Sequence, residues 1–233
     1  MVRLHFGERG GLRRGGLRQA AMKKDLTELV FIIDESGSMY PLTEDTIGGF
    51  NSVLEEQKRV SGEALVTTVL FNTKSTMIHD RIPIADVPPL TENDYRACGC
   101  TALVDAIGCT IKHIADIHKY IREEDVPEHT LFVITTDGAE NSSHLYTSSE
   151  LKHMIRHRRE EYGWEFMFLA ENIDAVETAA FLGIDRGSAA NCAGGSEGTK
   201  QKFSAVSRAC TSVRKNGEKG AEWKNELKCD KII

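Results

Sequence analysis

Two unbroken apolar runs constrain this chain more than anything else in it. Leu29-Val30-Phe31-Ile32-Ile33 stops at Asp34, and Leu131-Phe132-Val133-Ile134 leads through two threonines to Asp137. A strand with one face in water alternates apolar and polar residues. A strand without alternation is covered on both faces, as in a parallel sheet with helices on either side.

The rest of the chain fits that requirement. The spacing of Ile47, Phe50 and Leu54 predicts a helix over roughly 43–60, and Ala64 to Phe71 reads as a strand. Asn72-Thr73-Lys74 is short enough for a hairpin, so Ser75 to His79 is expected as an antiparallel edge strand. The segment 80–100, with Pro83, Pro88 and Pro89, reads as a long surface loop. Leu103, Ile107, Ile111 and Ile114 mark the buried stripe of a helix over about 102–121. Thr147-Ser148-Ser149-Glu150 is a capping box opening a helix to about Tyr162. Trp164 to Ala170 is a strand, Asp174 to Leu182 a short helix stopped by Gly183, and 188–191 a weak strand. Ser196 is expected to cap a last helix carrying Phe203, Val206, Cys210 and Val213. Strands alternating with helices give an α/β class: a doubly wound, mainly parallel sheet with one antiparallel edge strand and helices on both faces. The expected division is an Arg/Gly-rich extension over 1–24, one domain over 25–214 and a charged tail over 215–233, from which Trp223 is a candidate to dock back.

Charge excludes some functions. The chain carries a formal −6, yet its first 21 residues hold five arginines and one acid, a local +4, so the remainder is −10. An acidic body lacks the basic face of a general nucleic-acid binder. The Arg-rich start lacks the apolar core of a secretory signal. It loosely resembles an organelle transit segment, but the expectation is a flexible tail or a start assigned too early, since Met22-Lys23-Lys24-Asp25 directly precedes the first strand. No stretch approaches the roughly 20 apolar residues of a membrane span. Six cysteines, at 98, 100, 109, 192, 210 and 229, form no CxxC pair. They read as reduced thiols, and the expected location is cytoplasmic. Cys98-Gly99-Cys100 is too tight for a zinc knuckle. His153 and His157, one turn apart in a basic run, read as a solvated helix face.

In doubly wound sheets ligands bind beyond the carboxyl ends of the strands, where strand order reverses. Three segments should emerge there: Asp34-Glu35-Ser36-Gly37-Ser38, Gly99-Cys100-Thr101, and Thr136-Asp137-Gly138. They offer carboxylates and hydroxyls, the oxygen donors a hard cation such as Mg²⁺ takes. Gly37 allows the turn that lets Ser36 and Ser38 face one centre. Glu35 and Asp105, nearby, either tune the field of the site or face solvent, and the expectation is that they face solvent.

In these segments the sequence resembles the von Willebrand factor A (VWA) domains. Asp34-Glu35-Ser36-Gly37-Ser38 matches their D-x-S-x-S signature, and Thr101 and Asp137 match the other elements of their metal-ion-dependent adhesion site. The resemblance covers roughly residues 26–213 and is nearest to small stand-alone bacterial members. It implies Ser36, Ser38 and Thr101 as hydroxyl ligands, with Asp34 and Asp137 as the anionic part of the site. It also implies Mg²⁺, with Mn²⁺ or Ca²⁺ as alternatives, bound so that one position stays open to an Asp or Glu of a protein partner. That partner is expected to be an AAA-type ATPase or another cytosolic assembly, as for some intracellular relatives; the alternative is an adhesion module, as extracellular relatives are. The competing expectation is a Mg²⁺-dependent phosphoryl-transfer enzyme using Asp34. Against it, such enzymes carry a second acid two positions later, where this chain has Ser36. No G-x-S-x-G elbow, phosphate loop or dinucleotide turn occurs.

Overall fold

The computed structural model describes residues 22–225 and 227; the Arg-rich start and Cys229 lie outside them. Six strands form one sheet in the order β3-β2-β1-β4-β5-β6. They are β1 (Lys23–Asp34), β2 (Glu63–Phe71), β3 (Ser75–Pro83), β4 (Pro127–Thr136), β5 (Glu165–Ala170) and β6 (Ala189–Asn191). All pairs are parallel except β2 with β3. The helices are α1 (Thr43–Lys58), α2 (Leu103–Tyr120), α3 (Ser148–Tyr162), α4 (Ala175–Leu182) and α5 (Gly195–Asn216). The mainly parallel, doubly wound sheet expected from the apolar runs is the one observed.

Side-chain alternation along β1 explains the two layers. Leu29, Phe31 and Ile33 face one core with Phe50 of α1 and Phe203 and Val206 of α5. Val30 and Ile32 face a second core with Ile107 of α2, Leu151 of α3 and Ala179 of α4. Every residue of the run is buried because each face of the sheet has its own helices. The chain winds outward through β2 and β3, then crosses back to lay β4 on the other side of β1. The reversal therefore falls between β1 and β4, whose carboxyl ends carry Asp34 and, one residue beyond β4, Asp137.

Local chemistry sets several boundaries. Thr147 and Glu150 form the expected reciprocal capping box on α3, and Gly183 closes α4 at φ 91°. Ser196 does not cap α5. The cap is Gly194, and the Ser196 hydroxyl, already inside the first turn, donates to Asp45 of α1 at 2.7 Å. The edge strand β3 runs four residues beyond the expected His79, through a register irregularity, to Pro83. An edge position tolerates that proline because no partner needs its missing N–H. The following segment is not purely a surface loop: Val87, Leu90 and Tyr95 are buried in the first core. Trp223, on a 3-10 turn after α5, is buried there too. Among the described residues no helix is long and apolar enough to cross a membrane.

Two adjacent glycines of α1 test how α5 is seated. A Cβ on Gly49 would lie 2.2 Å from Cδ2 of the buried Phe203 ring, whereas one on Gly48 meets nothing within 4 Å. Gly48→Ala should stabilise by about 0.5–1 kcal/mol, the usual helix gain. Gly49→Ala should destabilise by about 1–3 kcal/mol, because overpacking outweighs that gain. Urea midpoints of the two variants check this; a shift of the same sign in both refutes the close α1–α5 approach.

Candidate metal centre at the carboxyl edge

The five oxygen-bearing residues singled out from the sequence come together at the switch between β1 and β4. Asp34, the last residue of β1, is fully buried. Its Oδ1 accepts the Ser36 N–H at 2.7 Å, and its Oδ2 accepts the Thr136 hydroxyl at 2.5 Å. The turn this fixes brings Ser36 Oγ to 3.2 Å from Ser38 Oγ, and Ser38 donates to Asp137 Oδ1 at 2.7 Å. Thr101 reaches the same place: a Cβ built on Gly138 would stand 3.6 Å from Thr101 Oγ1 and 3.8 Å from Ser38 Oγ. Glycine at 138 thus leaves the space between them clear.

Supporting groups hold each loop in place. Tyr95, buried in the segment before α2, donates its hydroxyl to the Asp34 carbonyl at 2.6 Å. Burial pushes its pKa well up, so it stays a donor. The Gly37 N–H donates to the Gly99 carbonyl at 3.0 Å, tying the serine loop to the threonine loop. Thr101 and Asn141 are joined twice: Thr101 N–H donates to Asn141 Oδ1 at 2.9 Å, and Asn141 N–H donates to Thr101 O at 3.1 Å. Glu140 accepts the Val104 N–H at the start of α2. None of Tyr95, Thr136, Glu140 and Asn141 was assigned a role from sequence. The polar run Glu140-Asn141-Ser142-Ser143 after a buried strand is a turn-and-cap signal that could have found two of them.

Glu35 and Asp105 correct the expectation that they face solvent. Glu35 is buried and accepts from Asn72 Nδ2 at 3.2 Å and from the Arg96 N–H at 3.2 Å. Asp105 accepts the N–H groups of His144, Leu145 and Tyr146 at 2.7, 2.9 and 2.9 Å. Both carboxylates replace water by backbone or amide donors and so organise loops. His153 and His157 are exposed on α3, as expected of a solvated face. Among the described residues no three His, Cys, Asp or Glu side chains form a metal-binding group, so a cation site here has to draw on hydroxyls.

The carboxylates differ in what they can do. Burial raises the pKa of Asp34 above the ordinary aspartate value, with the charge on Asp137 adding to it and bonds from Thr136 and Ser36 opposing it. Burial likewise raises that of Glu35. A nearby positive charge would relieve both. Asp34, closed in and accepting a bond on each oxygen, is poorly placed as a nucleophile. The geometry suits a group that orients hydroxyls and water and supplies field from behind.

No family model matches the chain, and no curated protein matches it by sequence. Solved structures do. It is similar to a von Willebrand factor type A protein from Catenulispora acidiphila, with 13% identity and a TM-score of 0.53, over 80% of this chain and 43% of that one. The ArnB paralog VWA2 from Sulfolobus acidocaldarius aligns with 12% identity and a TM-score of 0.53, over 78% and 44%. Proximal thread matrix protein 1 from the mussel byssus, solved with a zinc-occupied metal-ion-dependent adhesion site, aligns with 13% identity and a TM-score of 0.54, over 79% and 46%. This chain spans less than half the length of each. At such identity the likeness speaks for architecture alone, and the architecture this chain shares is that of the von Willebrand factor A structures.

Proposed function

We propose that residues 25–214 form a metal-dependent protein-binding module that engages an Asp or Glu of a partner through Mg²⁺ held by Ser36, Ser38 and Thr101, with Asp34 and Asp137 as its anionic support. One observation carries this reading: hydroxyls from separate loops converge above two carboxylates at the topological switch of the sheet. The spacing fits a small octahedral ion. Adjacent ligands at about 2.1 Å from such an ion stand about 3 Å apart, and the two serine oxygens are 3.2 Å apart. Each serine can present a lone pair to an ion while its proton is taken elsewhere, as Ser38's is by Asp137. An ion bound mostly by neutral hydroxyls and water keeps net positive charge, which an incoming carboxylate neutralises. Zinc occupancy in the mussel structure supports a divalent ion in this architecture. Mg²⁺ is preferred here because the donors are oxygens without imidazole or thiolate.

The phosphoryl-transfer alternative lacks support in the geometry, since both Asp34 oxygens are engaged and Ser36 replaces the second acid. The free thiols of Cys98, Cys100, Cys109 and Cys210 accord with a cytoplasmic setting. An AAA-type ATPase as partner rests on sequence resemblance alone.

Titration calorimetry should show one Mg²⁺ or Mn²⁺ site per chain, lost in Ser38→Ala. Capture from a lysate should yield partners released by chelator. No saturable heat with any divalent ion, or a partner set indifferent to chelator, would sink the reading.

A further inference from the structure

Cys98 and Cys100 are both exposed and unpaired, and they flank Gly99 in the loop that delivers Thr101. That loop is joined to the serine loop through its backbone. Cys98 N–H donates to the Glu35 carbonyl at 2.9 Å, and the Gly99 carbonyl accepts the Gly37 N–H at 3.0 Å. Cys100 N–H donates to Thr73 Oγ1 at 2.9 Å. Gly99 sits at φ 77°, and a Cβ there would come within 2.8 Å of Thr73 Oγ1. The peptide between the two thiols is therefore bent, unbranched and wedged between the β2–β3 hairpin and the turn holding Ser36 and Ser38.

We propose that Cys98 and Cys100 are a redox modification site: a dithiol that a low-molecular-weight disulfide closes into a Cys98–Cys100 bridge, displacing Gly99 and weakening cation binding at the neighbouring hydroxyls. The control of the cation rests on the metal-site reading above; the bridge and the loop displacement do not.

The chemistry balances with an external disulfide such as oxidised glutathione as oxidant. One cysteine thiolate attacks a sulfur of the oxidant, forming a mixed disulfide and expelling one small thiol. The second cysteine attacks the protein sulfur, forms the bridge and expels the second small thiol. Two protein thiols lose two electrons and two protons, and the oxidant gains them as two thiols.

Geometry gives the consequence. Two residues of extended chain span about 7 Å between Cα atoms, while disulfides usually hold their Cα atoms about 4.4–6.8 Å apart. A ring closed across one residue needs a bend at the centre, and glycine at positive φ supplies one. Tightening that ring turns the peptide planes on either side of Gly99. The Gly99 carbonyl, acceptor for the Gly37 N–H, belongs to one of those planes, and Gly37 stands between the two serines. Cys100 is covalently joined to Thr101. All three hydroxyl donors are therefore coupled to the ring, and a constellation of this kind tolerates displacements of only about 0.5 Å.

The test uses the full chain in a Cys109→Ser background, because Cys109 lies on the same tryptic peptide. Reduced protein and protein treated with oxidised glutathione are compared by peptide mass, by the amide resonances of Gly37 and Ser38, and by Mg²⁺ titration. Oxidation should remove two hydrogens from the peptide containing Cys98 and Cys100, shift both amides, and raise the Mg²⁺ Kd at least tenfold. Dithiothreitol should reverse all three, and Cys100→Ser should abolish all three while binding Mg²⁺ like the reduced parent. Absence of the mass loss overturns the proposal, as does a bridge that leaves the Gly37 amide unmoved or the Kd unchanged. If the reduced protein binds no Mg²⁺, the metal reading fails, while mass and resonances still decide the bridge and the displacement.

Discussion

Asp34→Asn weakens Mg²⁺ binding by about 10–100-fold, the range seen when a supporting partner of a metal site is lost, and leaves the metal-free protein at least as stable as the parent. The two effects have opposite signs for one reason. Asparagine keeps the shape and the contacts: its Oδ1 can accept the Ser36 N–H, and its Nδ2 can donate to Thr136 Oγ1, whose own proton has the Gly138 carbonyl as acceptor at 3.1 Å. Only the charge goes. In the metal-free chain that charge is a cost, because burial holds the Asp34 pKa above its ordinary value.

The sign of the pH dependence follows. A carboxyl with a raised folded pKa retains a proton that the unfolded chain has released. Its favourable contribution is full below the ordinary aspartate pKa and is lost as pH rises through the raised one. Glu35 acts in the same direction. Relative to Asp34→Asn, the metal-free parent should therefore lose stability as pH climbs out of the acidic range. Calorimetry with Mg²⁺ and melting curves in chelator from pH 4 to 7 supply both readouts. A variant that binds Mg²⁺ like the parent ends the role of Asp34, and one that melts well below it without metal shows a purely structural aspartate.

Legibility in the sequence tracked how local the determining physics was. The runs 29–33 and 131–134 announced strands covered on both faces, and β1 and β4 are central in the sheet. The capping box at Thr147 and the stop at Gly183 are decided within four residues, and both appear as expected. Sequence order also placed Asp34, Ser36, Ser38, Thr101 and Asp137 at one edge, because strand ends and parallel pairing suffice for that. What escaped reading depends on partners far along the chain. Asp105 looked exposed because helix periodicity says nothing about the loop 144–146 that wraps the start of α2. Tyr95 sat in a segment whose prolines suggested surface, yet its hydroxyl reaches the end of β1, 61 residues away. Ser196 obeyed cap statistics until Asp45 offered its hydroxyl a partner on another helix.

Lys202 offers the largest stability effect. Nothing in the sequence marks it, because lysine on an amphipathic helix ordinarily reaches solvent. In the fold Lys202 and Glu171 are each only 1% exposed, with Nζ 2.7 Å from Oε1. Glu171 Oε2 has no hydrogen-bond partner among the described residues, and Thr199 Oγ1 is 3.4 Å from Oε1. Among the described residues the carboxylate's charge is thus met by the Lys202 ammonium, with a long bond from the Thr199 hydroxyl. Lys202→Met leaves a buried charge uncompensated, which costs about 3–5 kcal/mol; at about 2–4 °C per kcal/mol for a domain of this size, Tm should fall by about 6–20 °C. Lys202→Met with Glu171→Leu should recover most of that loss, because an apolar pair of similar volume avoids desolvating two ions. The double variant also separates scaffold from site. Glu171 follows β5 and donates its N–H to the carbonyl of Thr136, the residue whose hydroxyl holds Asp34. The pair therefore anchors α5 beside the proposed metal centre without contributing a ligand. Restored stability with Mg²⁺ affinity within about threefold of the parent, a difference of under 1 kcal/mol, is the expected outcome. A single variant that melts like the parent would show that Glu171 does not need the Lys202 ammonium, and a stable double variant with lost affinity would make the charge pair part of the site itself.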